Sequence, residues 1–117
     1  MSEMQKVRVV RVNRFSVPAD ARREFMQLIE RTHEVIRMQP GVIDDMILEQ
    51  QAGAGAINLM TVIRFEGEHV LQPIIAAVAR SDEAAGIDRQ TLTRRLGVEA
   101  SVGFFTPVEL QAELLPA

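Results

Sequence analysis

Hydrophobic and polar residues along the chain follow two periodicities in turn, and these predict strands and helices. Residues 7–17 are rich in β-branched side chains and predict a first strand. Residues 20–38 carry apolar side chains at three- and four-residue spacing and predict a helix. The Gln39-Pro40-Gly41 turn ends that helix, because proline cannot continue it. Two further strands are predicted after the turn, at residues 42–50 and 57–65.

The second half of the chain predicts helical segments and then a last strand. Pro73 favours a short first turn before a helix over 73–80. Asp88 is a candidate cap for a further helix that ends at Gly97, and residues 101–110 predict the last strand. This order is that of a ferredoxin-like split βαβ fold, an α+β domain with a four-stranded antiparallel sheet and helices on one face.

Several predicted strands carry apolar residues on both faces. In the third strand, Leu59 and Ile63 lie on one face, and Met60 and Val62 lie on the other. A sheet covered by helices on one side should keep one polar, hydrated face. The pattern therefore predicts that the open face packs against a second copy of the chain, which gives a symmetric homodimer.

Composition restricts the classes of function. A length of 117 residues predicts one domain over residues 1–117. The absence of cysteine excludes disulfide scaffolds, thiolate metal sites and cysteine nucleophiles. A net charge of −3, with no tryptophan or tyrosine, argues against a nucleic-acid partner. No segment approaches the ~18 apolar residues of a membrane span, and no apolar leader is visible, so we expect a cytoplasmic protein without a membrane partner.

Residues 12–50 and 59–78 resemble the antibiotic biosynthesis monooxygenase family of the dimeric α+β barrel superfamily. The resemblance is carried by Phe25 in the first helix, the Gln39-Pro40-Gly41 turn, and the ending of the third strand at Thr61-Val62 and Phe65-Glu66. It covers nearly the whole chain and implies the dimeric ferredoxin-like fold. The superfamily includes cofactor-free oxygenases of polyketide phenols and quinols, haem-degrading enzymes, and members without an assigned activity.

Departures from the family pattern reduce the number of activities that the resemblance implies for this chain. Haem-degrading relatives use an asparagine on the first strand, a tryptophan at the end of the third and a histidine on the second helix. Asn13 could match the first, but Phe65 replaces the tryptophan and His69 comes too early for an axial ligand. The departures argue against haem degradation. The cofactor-free branch needs no metal or flavin and no two histidines lie at ligand spacing, so we expect no cofactor.

Cofactor-free oxygenation of a phenol or enol requires a base, donors for an oxyanion or peroxide, and a dry apolar pocket. His33 is the first candidate base, because it lies beside the apolar stripe of the first helix; a boundary histidine bonded to a backbone carbonyl is the alternative. His69 is the second, at a helix start that favours a neutral imidazole; a solvated turn is the alternative. Asn13 is the candidate oxyanion donor, or else an edge or interface asparagine.

Four further residues are candidates for binding the substrate. Phe65 would form an apolar wall, and Met26, near His33 on the helix, is an adaptable apolar contact. Arg11 and Arg64 are strand arginines that could hold an anionic group. Their alternative is an ion pair across strands with one of three carboxylates, Asp44, Asp45 or Glu49.

Two charged clusters are interpreted as structural. Asp44 and Asp45 are neighbours in a strand, so their side chains point to opposite faces and cannot share a proton. Three arginines of the last predicted helix lie among acidic residues and are interpreted as a solvated helix face: Arg89, Arg94 and Arg95.

The resemblance thus implies a cofactor-independent monooxygenase that acts on a small aromatic or quinol-type substrate, and we expect its cleft to lie between the sheet and its own helices. The alternative is a non-catalytic homodimer that binds a small apolar ligand or serves as an interaction module. The absence of tryptophan and tyrosine favours this alternative. Convergence of Asn13 and His33 on a dry pocket would favour the enzyme.

Overall fold

The computed structural model describes residues 8–53 and 55–108. Within these ranges the strands and helices follow the predicted order: β1 Val9–Ser16, α1 Arg22–Arg37, β2 Val42–Glu49, β3 Leu59–Phe65, α2 Leu71–Ala85, α3 Arg89–Arg95 and β4 Glu99–Phe105. Short 3-10 turns at Ala19–Ala21 and Glu68–Val70 lead into α1 and α2. Val7 and residues 109–110, the predicted ends of the first and last strands, lie outside the described residues.

The four strands form one antiparallel sheet in the order β2-β3-β1-β4. This is the ferredoxin-like arrangement, so the predicted fold class is confirmed. Cross-strand partners in an antiparallel sheet lie on the same face. The register therefore defines an inner row that faces the helices, Ile47–Thr61–Asn13–Val102, and an outer row that faces away, Met46–Val62–Val12–Gly103.

The core lies between the inner face of the sheet and the helices. One cluster is centred on Phe25, whose ring meets that of Phe15 edge to face with centroids 5.0 Å apart. A second cluster surrounds Phe65, which is 1% exposed, and includes Ile36 of α1 and Ile74 of α2. α1 also buries His33 together with its apolar stripe, although the spacing placed His33 only beside that stripe.

The second helix is continuous, and it is longer than the sequence pattern predicts. Pro73 lies in the first turn of α2, where a backbone N–H has no helical partner in any case. The helix ends at Ala85, and Gly86 adopts a left-handed conformation with φ of 70°. The predicted cap of α3 is confirmed, since the Asp88 side chain accepts a hydrogen bond from the Thr91 amide at 3.1 Å.

The outer face of the sheet carries a partly apolar surface that is uncovered within the described ranges, together with Arg14 and the Arg64–Asp44 ion pair. Its residues include Met46, Leu48 and Phe105, which are 49%, 45% and 45% exposed. None of the helices between residues 8 and 108, with residue 54 left aside, has the length and apolar character needed to span a bilayer.

Candidate active site

A cavity of about 640 Å³ lies between the inner face of the sheet and the three helices, where the sequence analysis expects a cleft. Its walls are mainly apolar and draw on both core clusters. This size falls within the range of about 300–1,000 Å³ for pockets that hold small organic ligands. Six polar side chains on the wall concern the chemistry: Arg11, Asn13, His33, Thr61, Asp82 and Arg89.

His33 is held by a carboxylate from the neighbouring strand. The side chain of His33 is 2% exposed, and its Nδ1 atom lies 2.8 Å from Oδ2 of Asp45 on β2. Arg37, one turn further along α1, donates from Nε to both oxygens of the same carboxylate at 2.9 and 3.1 Å. Asp45 therefore joins α1 to β2 and fixes the orientation of the imidazole ring.

The charge of Asp45 determines which ring nitrogen of His33 is basic. Burial would raise the pKa of Asp45, but the hydrogen bonds from Arg37 and His33 outweigh it and hold this pKa below its ordinary value. The ionised carboxylate accepts the proton on Nδ1, which leaves Nε2 unprotonated in the neutral ring. Nε2 has no hydrogen-bond partner among the described residues, and the ring lines the cavity. His33 thus has the arrangement of a general base.

Asn13 lies on the same wall, in the middle of the sheet. Its Nδ2 donates to Oγ1 of Thr61, directly across on β3, at 2.9 Å. Its Oδ1 accepts a longer bond of 3.4 Å from Nε of Arg11. These two contacts fix the amide and leave Asn13 a second N–H, which can donate to an oxyanion in the cavity.

Two arginines bring positive charge to the cavity wall. Arg89 donates to both carboxylate oxygens of Asp82 at 2.9 and 3.0 Å, and to Oγ1 of Thr32 at 2.9 Å. Arg11 is half-buried, and its guanidinium lies over the Phe104 ring, 5.6 Å from the centroid. Burial, and then the charge of Arg89, lowers the pKa of Arg11. No carboxylate pairs with Arg11 in the part of the chain that the structure describes.

The cavity brings together four of the residues predicted from sequence, namely His33, Asn13, Arg11 and Phe65. The three others lie elsewhere: His69, Arg64 and Met26. His69 is exposed in the turn before α2, because the next residue along, Val70, is the one that enters the core.

Arg64 and Met26 also lie outside the cavity, and the geometry of their strand and helix explains why. Arg64 points to the outer face of β3, since strand side chains alternate, and it pairs with Asp44. Met26 lies about two helical turns before His33, at the other end of α1. There it borders a smaller depression that also includes Arg22.

Sequence reasoning missed four residues of the site: Asp45, Thr61, Asp82 and Arg89. Asp45 was placed on the face opposite to Asp44, as the structure has it, but its contact with His33 joins two elements and has no local signature. Thr61 could have been found from its register opposite Asn13. Arg89 was interpreted as part of a solvated face, yet it turns inward to Asp82 and the cavity.

Solved structures with the same fold include a functionally described oxygenase. SnoaB, a cofactor-independent oxygenase from Streptomyces nogalater, is 22% identical over 91% of this chain and 98% of its own, with a TM-score of 0.67. A proposed monooxygenase from Shewanella loihica is 17% identical over 88% of this chain and 96% of its own, with a TM-score of 0.65. A conserved protein from Methanosarcina mazei is 21% identical over 90% of this chain and 97% of its own, with a TM-score of 0.67.

These likenesses establish the fold. The chain has the same α+β architecture as these structures, which agrees with the fold that the sequence resemblance implies. No protein-family model and no curated protein matches the sequence. The chemistry of the site must therefore be argued from its own residues.

Proposed function

We propose that this protein is a cofactor-independent monooxygenase that acts on a small aromatic or quinol-type substrate in the cavity between sheet and helices. The observation that carries the proposal is the buried His33–Asp45 pair, which presents a basic nitrogen to an apolar cavity shared with Asn13. The fold shared with SnoaB supports the same class of reaction.

The reaction begins with proton removal. Nε2 of His33 takes a proton from an acidic C–H or O–H of the substrate, and the N–H of Asn13 stabilises the resulting oxyanion. The electron-rich anion then reduces dioxygen and forms a carbon–peroxide bond. In an anthrone, loss of water from the peroxide converts the reacting CH₂ group to a carbonyl; in a quinol, the reacting ring C–H carbon becomes a carbonyl carbon in the same way. The carbon keeps one oxygen atom and the other leaves as water. The substrate supplies all the electrons.

The surroundings of the base suit this chemistry. The buried side chains of Phe25, Phe65 and Ile63 give this part of the cavity apolar walls, which disfavour water beside the carbanion and so slow its protonation by solvent. Asp45 stabilises the imidazolium that forms when His33 accepts the proton. Asp45 is thus a positioning residue, and His33 and Asn13 are the proposed catalytic residues.

Oxygen consumption with an anthrone or quinol tests the proposal, with the two histidines as matched variants. We expect His33→Ala to lower kcat by about 10²- to 10⁴-fold, the usual contribution of a general base. His69→Ala changes an exposed imidazole outside the cavity and should leave the rate unchanged. Incorporation of one labelled atom from ¹⁸O₂ into the product identifies monooxygenation. Equal rates for the two variants would contradict the role of His33.

A second candidate function is a non-catalytic homodimer that binds a small apolar or aromatic ligand. The absence of tryptophan and tyrosine favours this candidate. Saturable binding of quinols to the wild-type protein, without oxygen consumption under any conditions tried, would favour this candidate. Both candidates use the same cavity, so the two measurements together separate them.

We also propose that the protein is a homodimer joined through the outer faces of two sheets. Met46, Leu48 and Phe105 give this face an apolar and largely exposed surface. An exposed apolar sheet face is unfavourable in water, and a second copy is the simplest partner that covers it.

A further inference from the structure

We propose that the substrate carries an anionic group, such as a carboxylate on its aromatic ring system, and that Arg11 binds this group. This inference rests on the proposed function for the use of the cavity, but it does not depend on any reaction with dioxygen. Its starting point is the charge on the cavity wall. Arg89 is neutralised by a bidentate contact with Asp82, whereas Arg11 has no acidic partner among the described residues.

A half-buried guanidinium without a counter-charge is costly, because burial removes part of its hydration. The same cause lowers the pKa of Arg11. An anion bound in the cavity would supply the missing charge. Among the described residues only Nε of Arg11 makes a hydrogen bond, to Asn13, so the two terminal nitrogens are free to hold a carboxylate.

The position of Arg11 suits a bound aromatic acid. In the register of the sheet, Asp45, Ile63 and Arg11 form one inner row across β2, β3 and β1. Two strand spacings separate the backbone of Asp45 from that of Arg11, which is about 10 Å. The base held by Asp45 and the guanidinium of Arg11 therefore flank the apolar side chain of Ile63. A planar ring over Ile63 could direct its carboxylate to Arg11 and its reactive carbon to His33.

Four exposed arginines of the strands and helices have the carboxylate partner that Arg11 lacks. Arg22, Arg37, Arg64 and Arg95 each contact a carboxylate, and all four are more than 40% exposed. Arg14 is the closest match to Arg11: it lies on the same strand, and its guanidinium is 5.7 Å from the Phe105 centroid, but it points to the outer face. Arg14 therefore provides the control.

Equilibrium binding of 2-naphthoate and its neutral isostere 2-naphthamide tests the inference without turnover. The protein has no tryptophan or tyrosine, so the fluorescence of either probe can be followed with little protein background. We expect the wild-type protein to bind naphthoate about tenfold or more tightly than naphthamide, as a charge-assisted bidentate contact should give. Arg11→Met should remove this preference, whereas Arg14→Met should keep it. Arg11→Lys should keep part of it.

Three results would overturn the inference: no saturable naphthoate binding, equal affinity of the wild-type protein for the two probes, or a preference that survives Arg11→Met. Far-UV circular dichroism of Arg11→Met, and its retained affinity for naphthamide, distinguish lost charge from lost folding. Failure of the enzyme proposal has a different signature. Naphthoate would still bind through Arg11 if the protein never consumed dioxygen, and an oxygenase equally active on neutral quinols would lack the anion preference.

Discussion

The contact with Asp45 determines which ring nitrogen of His33 carries the proton in the neutral ring. A buried histidine on an apolar helix stripe can be a simple packing residue, and its position alone does not separate that role from a functional one. The contact of 2.8 Å between Nδ1 and a carboxylate that Arg37 keeps ionised assigns the proton to one ring nitrogen. The other nitrogen is then unprotonated in the neutral ring, and the ring lines the cavity, which is the basis of the proposed role of His33 as a base.

The pair Asp45→Asn and Asp44→Asn tests this contact through stability. Asp45 is 6% exposed and holds two elements together, so we expect its loss to lower the free energy of unfolding at pH 7 by about 1–3 kcal/mol. The exposed Asp44–Arg64 pair should contribute much less, because solvent screens an ion pair at the surface. Chemical denaturation of both variants measures the difference. Equal effects would contradict the structural role of Asp45.

The lowered pKa of Asp45 predicts that the free energy of unfolding depends on pH. The pKa of Asp45 is lower in the folded chain than in the unfolded chain, so the unfolded chain binds the proton first as pH falls. The stabilisation is complete above about pH 4, the ordinary pKa of aspartate, and is lost as pH falls through the lower pKa of the folded protein. Asp45→Asn should therefore show a smaller loss of stability than wild type over this acid range in denaturation curves.

At the residue scale, local pattern was enough to find some of the site. Asn13 and Arg11 could be placed on the inner face because strand side chains alternate, and His33 because helical spacing put it beside the core stripe. Arg89 could not be found in this way. Its inward direction depends on Asp82, which lies seven residues earlier on another helix, and no periodicity encodes that contact.

At the scale of elements, the turn between α1 and β2 sets the position of Asp45 relative to His33. Gly41 has φ of 90°, and a Cβ atom there would lie 2.5 Å from Cγ2 of Val70. Val70 is buried in the core cluster around Phe65. The sequence predicted this turn from proline and glycine, but only the packed structure shows that the glycine is also needed for space.

Gly41→Ala and Gly86→Ala separate the requirement for a positive φ from the requirement for space beside Val70. Both glycines have positive φ, but a Cβ at Gly86 meets no atom within 4 Å. Backbone strain should cost each variant about 1–2 kcal/mol, and the contact with Val70 should make Gly41→Ala worse by at least about 1 kcal/mol. Thermal unfolding of both variants measures this. A similar loss of Tm in the two would show that crowding at Gly41 is unimportant.

The boundaries of helices were harder to predict than their existence. The sequence pattern ended the second helix at residue 80, whereas α2 continues to Ala85. Ser81 and Asp82, which are weak helix formers, lie in this last part. Tertiary contacts hold it, since Arg31 of α1 donates to the carbonyl of Ser81 at 3.0 Å and Arg89 pairs with Asp82. Such long-range contacts override local propensity.

At the scale of the whole molecule, the two faces of the sheet have different proposed uses. The inner face carries the polar residues of the cavity, and the outer face carries an apolar surface without a cover in the described residues. The sequence pattern predicted apolar residues on both faces of several strands, and β3 has them, with Leu59 and Ile63 on the inner face and Met60 and Val62 on the outer face. The dimer that it suggests remains a proposal.

Met46→Asp and Met38→Asp test the dimer with the same substitution at two exposed methionines. Met46 is 49% exposed on the outer face, and Met38 is 83% exposed at the end of α1. Sedimentation equilibrium should give twice the chain mass for the wild-type protein and for Met38→Asp. Met46→Asp should shift towards the chain mass, because a charge in an apolar interface is costly. A monomeric wild-type protein, or a dimer unaffected by Met46→Asp, would argue against this interface.

We propose that His33 removes a proton from a substrate bound in the cavity, and this step can be observed without turnover. The most direct measurement is the anaerobic absorbance spectrum of an anthrone whose anion absorbs at longer wavelength than its neutral form. With dioxygen absent, the wild-type protein at neutral pH should convert bound anthrone to the anion, and His33→Ala should bind it in the neutral form. An unchanged neutral spectrum with the wild-type protein, or the same anion signal with His33→Ala, would contradict proton removal by His33.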